Sequence, residues 1–158
     1  MAATEDWKNH WMEMALHLAM EGVQKGKGGP FGCIIVKDNE VVGKGSNAVL
    51  SENDPTAHAE ILALRAACDA AGSERLPGHA LYVTLEPCPM CAAAISFARI
   101  ARLYYGAADP KSGGVAQGAR VFAHPQCHHA PEVYDGIAER DAAALLRAFF
   151  EGRRNRCD

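Results

Sequence analysis

Trp11, Met14, Ala15, Leu18 and Ala19 recur at helical spacing near the start of the chain, so a helix is predicted there, ending before the glycine-rich stretch 26–29. The pattern then changes. Residues 31–37 and 41–47 are rich in β-forming side chains and flank Asp38, Asn39 and Glu40, which predicts a hairpin of two strands. The hairpin carries Asn47 toward the following loop. Further on, the pattern predicts a helix over about 58–71, a strand over 80–85, a helix beginning after Cys88 and a strand over 102–106. Residues 107–131, rich in Gly and His, are expected to form a long loop, and a last helix over about 138–152 leads into Arg153, Arg154 and Arg156. Strands that alternate with helices imply an α/β sheet covered on both faces by helices. Ligand chemistry is expected where strand ends feed helix starts.

Composition narrows the class of protein. At 158 residues the chain is expected to form one domain, residues 1–158, with a core large enough to need no disulfide staples. Its six cysteines show no framework spacing, which fits a reducing compartment. Residues 1–7 carry acidic groups and no apolar run, and no stretch approaches transmembrane length, so a cytoplasmic protein without a membrane partner is expected. A net charge of −3 gives no general attraction to nucleic acid. Any contact with RNA would come from a local basic patch.

The chemistry concentrates in two short segments, His58-Ala59-Glu60 and Pro87-Cys88-Pro89-Met90-Cys91. A structural zinc is closed by four protein ligands, whereas a catalytic one keeps three and leaves a place for water. His58, Cys88 and Cys91 supply three, and Glu60 is a spare carboxylate able to carry protons. Cys88 and Cys91 are three apart, hence on one helical face, and Pro89 suits the first helical position. Both sulfurs then sit at a helix N-terminus, where thiolate is favoured. His58 and Glu60 can converge only beyond the end of a helix, and Asp54 or Thr56, around Pro55, is the expected start signal. A redox pair or a zinc ribbon would be the bland alternative, but Cys33, Cys68, Cys127 and Cys157 form no second pair. His124, Cys127, His128 and His129 show no second ligand set with matching geometry.

His-x-Glu combined with Pro-Cys-x-x-Cys is the signature of zinc deaminases that act on nucleobases. The chain resembles the cytidine deaminase superfamily, in particular its purine-deaminating branch. The run 81–95 around Glu86-Pro87-Cys88, then Tyr104-Tyr105-Gly106-Ala107, Asp109-Pro110-Lys111, the His124-Pro125 and His128-His129 loop, and Leu145-Leu146, Phe149-Phe150 and Arg153-Arg154 resemble the bacterial tRNA-specific adenosine deaminases. Gly28-Gly29-Pro30-Phe31-Gly32-Cys33 is more similar to guanine deaminases. The resemblance implies a three-layer α/β/α sandwich with a central mixed sheet, one Zn2+ per chain and a homodimer. It implies adenosine-to-inosine conversion in a tRNA anticodon loop, with a free purine base, guanine foremost, as the alternative substrate. Glu60 would then carry a proton from water to the ring nitrogen and help protonate the departing amine.

Asn47 would hydrogen-bond the purine, although a turn role at the hairpin's end also suits it. Phe31 would stack on a free base or narrow the entrance. Glu86 is expected to hold backbone or a ligand beside the metal. Lys111, Arg147, Arg153 and Arg154 could hold RNA phosphates or, in the last helical turn, simply complement its dipole.

Overall fold

The computed structural model describes residues 6–154, and side chains over 7–152. Helix α1 (Asp6–Gln24) leads into the hairpin of β1 (Gly32–Lys37) and β2 (Glu40–Ser46). Asp38 and Asn39 both take positive φ, 50° and 62°, the backbone of a two-residue turn whose twist matches its strands. A single turn, α2 (Val49–Glu52), then precedes α3 (Ala59–Ala71), β3 (Ala80–Leu85), α4 (Pro89–Phe97) and β4 (Arg102–Ala107). A 3-10 turn at Val121–Ala123, the short β5 (Glu132–Tyr134) and α5 (Glu139–Arg154) complete the chain. The expected elements are all present. The additions are α2, β5 and the 3-10 turn.

The strands form one mixed sheet in the order β2-β1-β3-β4-β5. β1 runs antiparallel to both β2 and β3, while β3, β4 and β5 are parallel. Successive strand side chains point to opposite faces, so each central strand feeds both cores. Cys33, Ile35, Leu81, Val83, Leu103 and Tyr105 pack on one face with Ala63 and Ala67 of α3 and Ile95 of α4. Ile34, Val36, Tyr82 and Tyr104 pack on the other with Met12, Ala15 and Leu16 of α1 and Ala142 of α5. The result is a three-layer α/β/α sandwich.

Helix α3 packs closely on β2. Ala59, Ala63 and Ala67 form a stripe at fourfold spacing, fully buried against β2. The strand answers with glycines: a Cβ on Gly43 would stand 2.5 Å from the Ala63 carbonyl oxygen, and one on Gly45 2.6 Å from that of Ala59. Backbone therefore meets backbone. This contact sets the start of α3 beside the end of β2, and so His58 and Glu60 beside Asn47.

Candidate active site

Two helix starts meet at the ends of the central strands. The structure corrects the expected cap of α3: the N-cap residue is His58, with extended φ and ψ of −71° and 154° and no side-chain capping bond. Asp54 instead closes the preceding turn, its Oδ1 accepting the Thr56 N–H at 2.8 Å and the Thr56 hydroxyl at 2.7 Å. The His58 ring is turned away from its own helix toward the second start. There Cys88 is the N-cap of α4 and Pro89 opens the helix, as the spacing predicts.

His58 Nδ1 lies 3.6 Å from Cys88 Sγ and 3.4 Å from Cys91 Sγ. All three ligand atoms fall within 4.8 Å of one another, the one such cluster among the described residues. A tetrahedral zinc with Zn–S of about 2.3 Å and Zn–N of about 2.05 Å has an N–S edge of about 3.6 Å. The observed separations fit that edge.

The electrostatics of the donor set point the same way. Hydrogen bonds from Cys91 and then His58 hold the Cys88 thiol down to about 4, against the cost of burial. The Cys88 thiolate, together with burial, pushes Cys91 well above the ordinary thiol range. Bonding to Cys88 raises His58. One thiolate thus raises the proton affinity of the other, a cost that a divalent cation held between the two sulfurs would offset.

Glu60 is 5 % exposed and stands in the first turn of α3. Burial raises its proton affinity, a bond from its own backbone N–H opposes that, and the Cys88 thiolate adds to it. A carboxyl poised in this way can hold and release a proton.

A cavity of about 510 Å³ opens over these groups. Phe31, Asn47, His58, Glu60, Cys88 and Lys111 line it, joined by Val83, Leu85, Glu86, Asp109, Ser112, Leu146 and Phe150. The structure therefore brings together the expected ligands, carboxylate and substrate contacts. The Asn47 carboxamide oxygen accepts the Val49 N–H at 3.1 Å, so the turn role is real, and its amide nitrogen remains as a donor. Phe31 lies just before β1 rather than within it, its ring folded over Gly29, where a Cβ would come to 2.7 Å.

Glu86 is 2 % exposed and holds backbone, as expected, accepting N–H groups from Asp109, Val115, Ala116 and Gln117. Arg147 is exposed on α5 and does not line the cavity. Arg153 and Arg154 fall in the last turn of α5, with side chains outside the described region, and Arg156 lies outside it altogether. In the His124–His129 loop two histidines bond to backbone: His129 Nε2–H donates to the Ile100 carbonyl at 2.7 Å, and His124 Nδ1 accepts the Gln126 N–H at 3.2 Å. The apolar wall from Leu146 and Phe150 was not among the expected site residues. Their separation by four on a predicted helix was the available signal.

Fold and ligand set define a zinc-dependent deaminase, and the chain belongs to the cytidine and deoxycytidylate deaminase family, whose zinc-binding region matches residues 5–107. Among its relatives, the tRNA-specific adenosine deaminase of Agrobacterium fabrum (strain C58 / ATCC 33970) is 54% identical over 147 residues, 93% of this chain and 96% of that protein. The tRNA-specific adenosine deaminase of Rickettsia bellii (strain RML369-C) is 43% identical over 124 residues, 77% of this chain and 86% of that one. A solved structure from work on A-to-I editing by tRNA:A34 deaminases at the wobble position superposes with a TM-score of 0.84 at 55% identity, covering 87% of this chain and 99% of that chain. The guanine deaminase of Bacillus subtilis superposes with a TM-score of 0.64 at 35% identity, covering 92% of each chain.

Proposed function

We propose that this enzyme converts adenosine to inosine in a tRNA anticodon loop, releasing ammonia. The observation that carries the reading is the 54% identity to a tRNA-specific adenosine deaminase across nearly all of both chains, on a structure whose cavity opens over His58, Glu60 and Cys88, with Cys91 completing the ligand cluster. An anticodon loop is single-stranded, so its base can be splayed into such a cavity at small cost.

Zinc held by His58, Cys88 and Cys91 supplies, when bound, the acidification that makes water a nucleophile near neutral pH. Glu60 does the proton work. It takes one proton of the attacking water to the ring nitrogen next to C6, then takes the proton of the new C6 hydroxyl to the amine, which leaves as ammonia as C6 becomes a carbonyl. Asn47 donates its amide N–H to an acceptor on the purine edge, its orientation fixed by the bond to Val49. Phe31, Val83, Leu85, Leu146 and Phe150 wall the base off from bulk water. Lys111 lines the cavity, and it and the arginines of α5, Arg147, Arg153 and Arg154, are the basic residues proposed to hold RNA phosphates.

A free-base activity on guanine is the second reading, favoured by Phe31 in the cavity wall and by the likeness to a guanine deaminase. The enzyme is taken to be a cytoplasmic homodimer, as the family resemblance implies. Phe97, 75% exposed at the end of α4, is the apolar surface a second copy would cover. No described helix is long and apolar enough to cross a membrane. Incubating the zinc-loaded protein with an anticodon stem-loop and assaying inosine tests the substrate, and sedimentation tests the dimer.

A further inference from the structure

We propose that Glu86 is a positioning residue for the deamination, one that locks the substrate-facing wall of the cavity onto the turn carrying Cys88. The inference rests on the proposed function. Glu86 lies directly after β3 and two residues before Cys88, and its own N–H is tied to the Ala107 carbonyl at 2.8 Å. Its Oε1 accepts the Asp109 N–H at 3.2 Å. Its Oε2 accepts those of Val115, Ala116 and Gln117 at 3.2, 3.1 and 3.1 Å. A carboxylate oxygen has about two lone-pair sites, so the three donors on Oε2 saturate it, and Oε1 is given to Asp109.

The rest of the loop is fitted to the same anchor. Gly114 N–H donates to the Pro87 carbonyl at 2.8 Å, and a Cβ on Gly114 would meet the Pro89 nitrogen at 2.6 Å. A Cβ on Gly113 would meet Glu86 Oε2 at 2.5 Å. Asp109 in turn shapes the rim, its Oδ1 accepting the N–H groups of Lys111 and Ser112 at 3.1 Å each. Asp109, Lys111 and Ser112 all line the cavity. One buried carboxylate at the cavity's edge therefore sets the distance between the metal ligands and the wall a substrate leans on.

Glu86→Gln breaks this lock at a defined place. The Gln oxygen will remain with the three N–H groups of Val115, Ala116 and Gln117, which forces its NH2 against the Asp109 N–H. The cavity end of the loop loosens while the far end stays. Amide hydrogen exchange should speed up at least tenfold at Asp109, Lys111 and Ser112, with less change at 115–117. With wild type active on the stem-loop, KM should rise about tenfold or more, while kcat changes by less than about threefold and zinc stays at one per chain.

Gly113→Ala, whose Cβ would meet Glu86 Oε2 and the Asp109 carbonyl oxygen at 2.5 Å each, strains the same contact without altering the carboxylate and should raise KM in the same direction. It also keeps the test decisive if Glu86→Gln folds poorly. Unchanged exchange at 109–112, or wild-type KM in both variants, overturns the proposal, as does a fall in kcat with zinc loss and unchanged KM. Should wild type itself fail on the stem-loop, the functional reading falls, and the exchange measurement still decides whether Glu86 holds the loop.

Discussion

Replacing Glu60 by Gln isolates proton transfer from every other property of the site. The side chain keeps its size and can still hydrogen-bond, but it can no longer take a proton from water and pass it on. Glu60 is 5 % exposed, so bulk solvent cannot readily take over the relay. A general acid–base group contributes about 10² to 10⁴-fold, which is roughly 2.7 to 5.4 kcal/mol of barrier. Glu60 acts twice in the proposed cycle, which places the loss at the upper end of that range. Folding should not suffer, because burial already disfavours the charged carboxylate here and a neutral amide removes that cost. Metal analysis, thermal melting and an inosine assay on one preparation separate the effects. The expected result is full zinc occupancy, a melting temperature no lower than wild type, and kcat/KM down by at least 10²-fold. A zinc-replete Glu60→Gln protein retaining more than about a tenth of wild-type kcat/KM would refute the assignment.

Other outcomes follow from the same geometry. Chelation should abolish activity, and zinc but not magnesium should restore it, because two thiolates and an imidazole suit a borderline-soft cation; restoration by magnesium would contradict the ligand set. Alanine at Lys111, Arg147, Arg153 and Arg154 should weaken stem-loop turnover and flatten its salt dependence, by about 0.7 in log–log slope for each single-strand phosphate that is no longer neutralised, while guanine turnover barely changes. An unaltered slope would remove these residues from RNA binding. Gly43→Ala puts a Cβ 2.5 Å from the Ala63 carbonyl oxygen, an overpacking of about 1–3 kcal/mol that should lower the melting temperature by roughly 2–12 °C; an unchanged melting curve would show that α3 can move away from β2.

Most of the sandwich is legible in the sequence because its central strands bury both faces. Ile34 and Val36 serve one core while Cys33 and Ile35 serve the other, so β1 reads as a continuous apolar run. The metal ligands are equally legible, since spacing and helix-start chemistry constrain His58, Cys88 and Cys91 together. What escapes is structure made by tertiary contact. The edge strand β5 has no buried position and so carries no buried alternation to read. The single turn α2 follows from Asn47 accepting the Val49 N–H, a bond that no periodicity announces. The start of α3 departs from expectation because a side chain committed to a metal site cannot also cap its helix, which leaves the ordinary cap residues Asp54 and Thr56 to a neighbouring turn. The loop after β4 reads as structureless because its organiser, Glu86, stands more than twenty residues upstream of the first amide it holds, at a separation of 23.

The most direct measurement is a paired assay on one zinc-loaded preparation, with an adenosine-containing anticodon stem-loop in one reaction and free guanine in the other, scoring inosine and ammonia. The expected result is inosine formed in the stem-loop at a kcat/KM well above that for guanine, with both activities lost in Glu60→Gln. Rapid ammonia release from guanine, with no inosine in the stem-loop, would contradict the proposed substrate and identify the cavity around Phe31 and Asn47 as a free-base pocket.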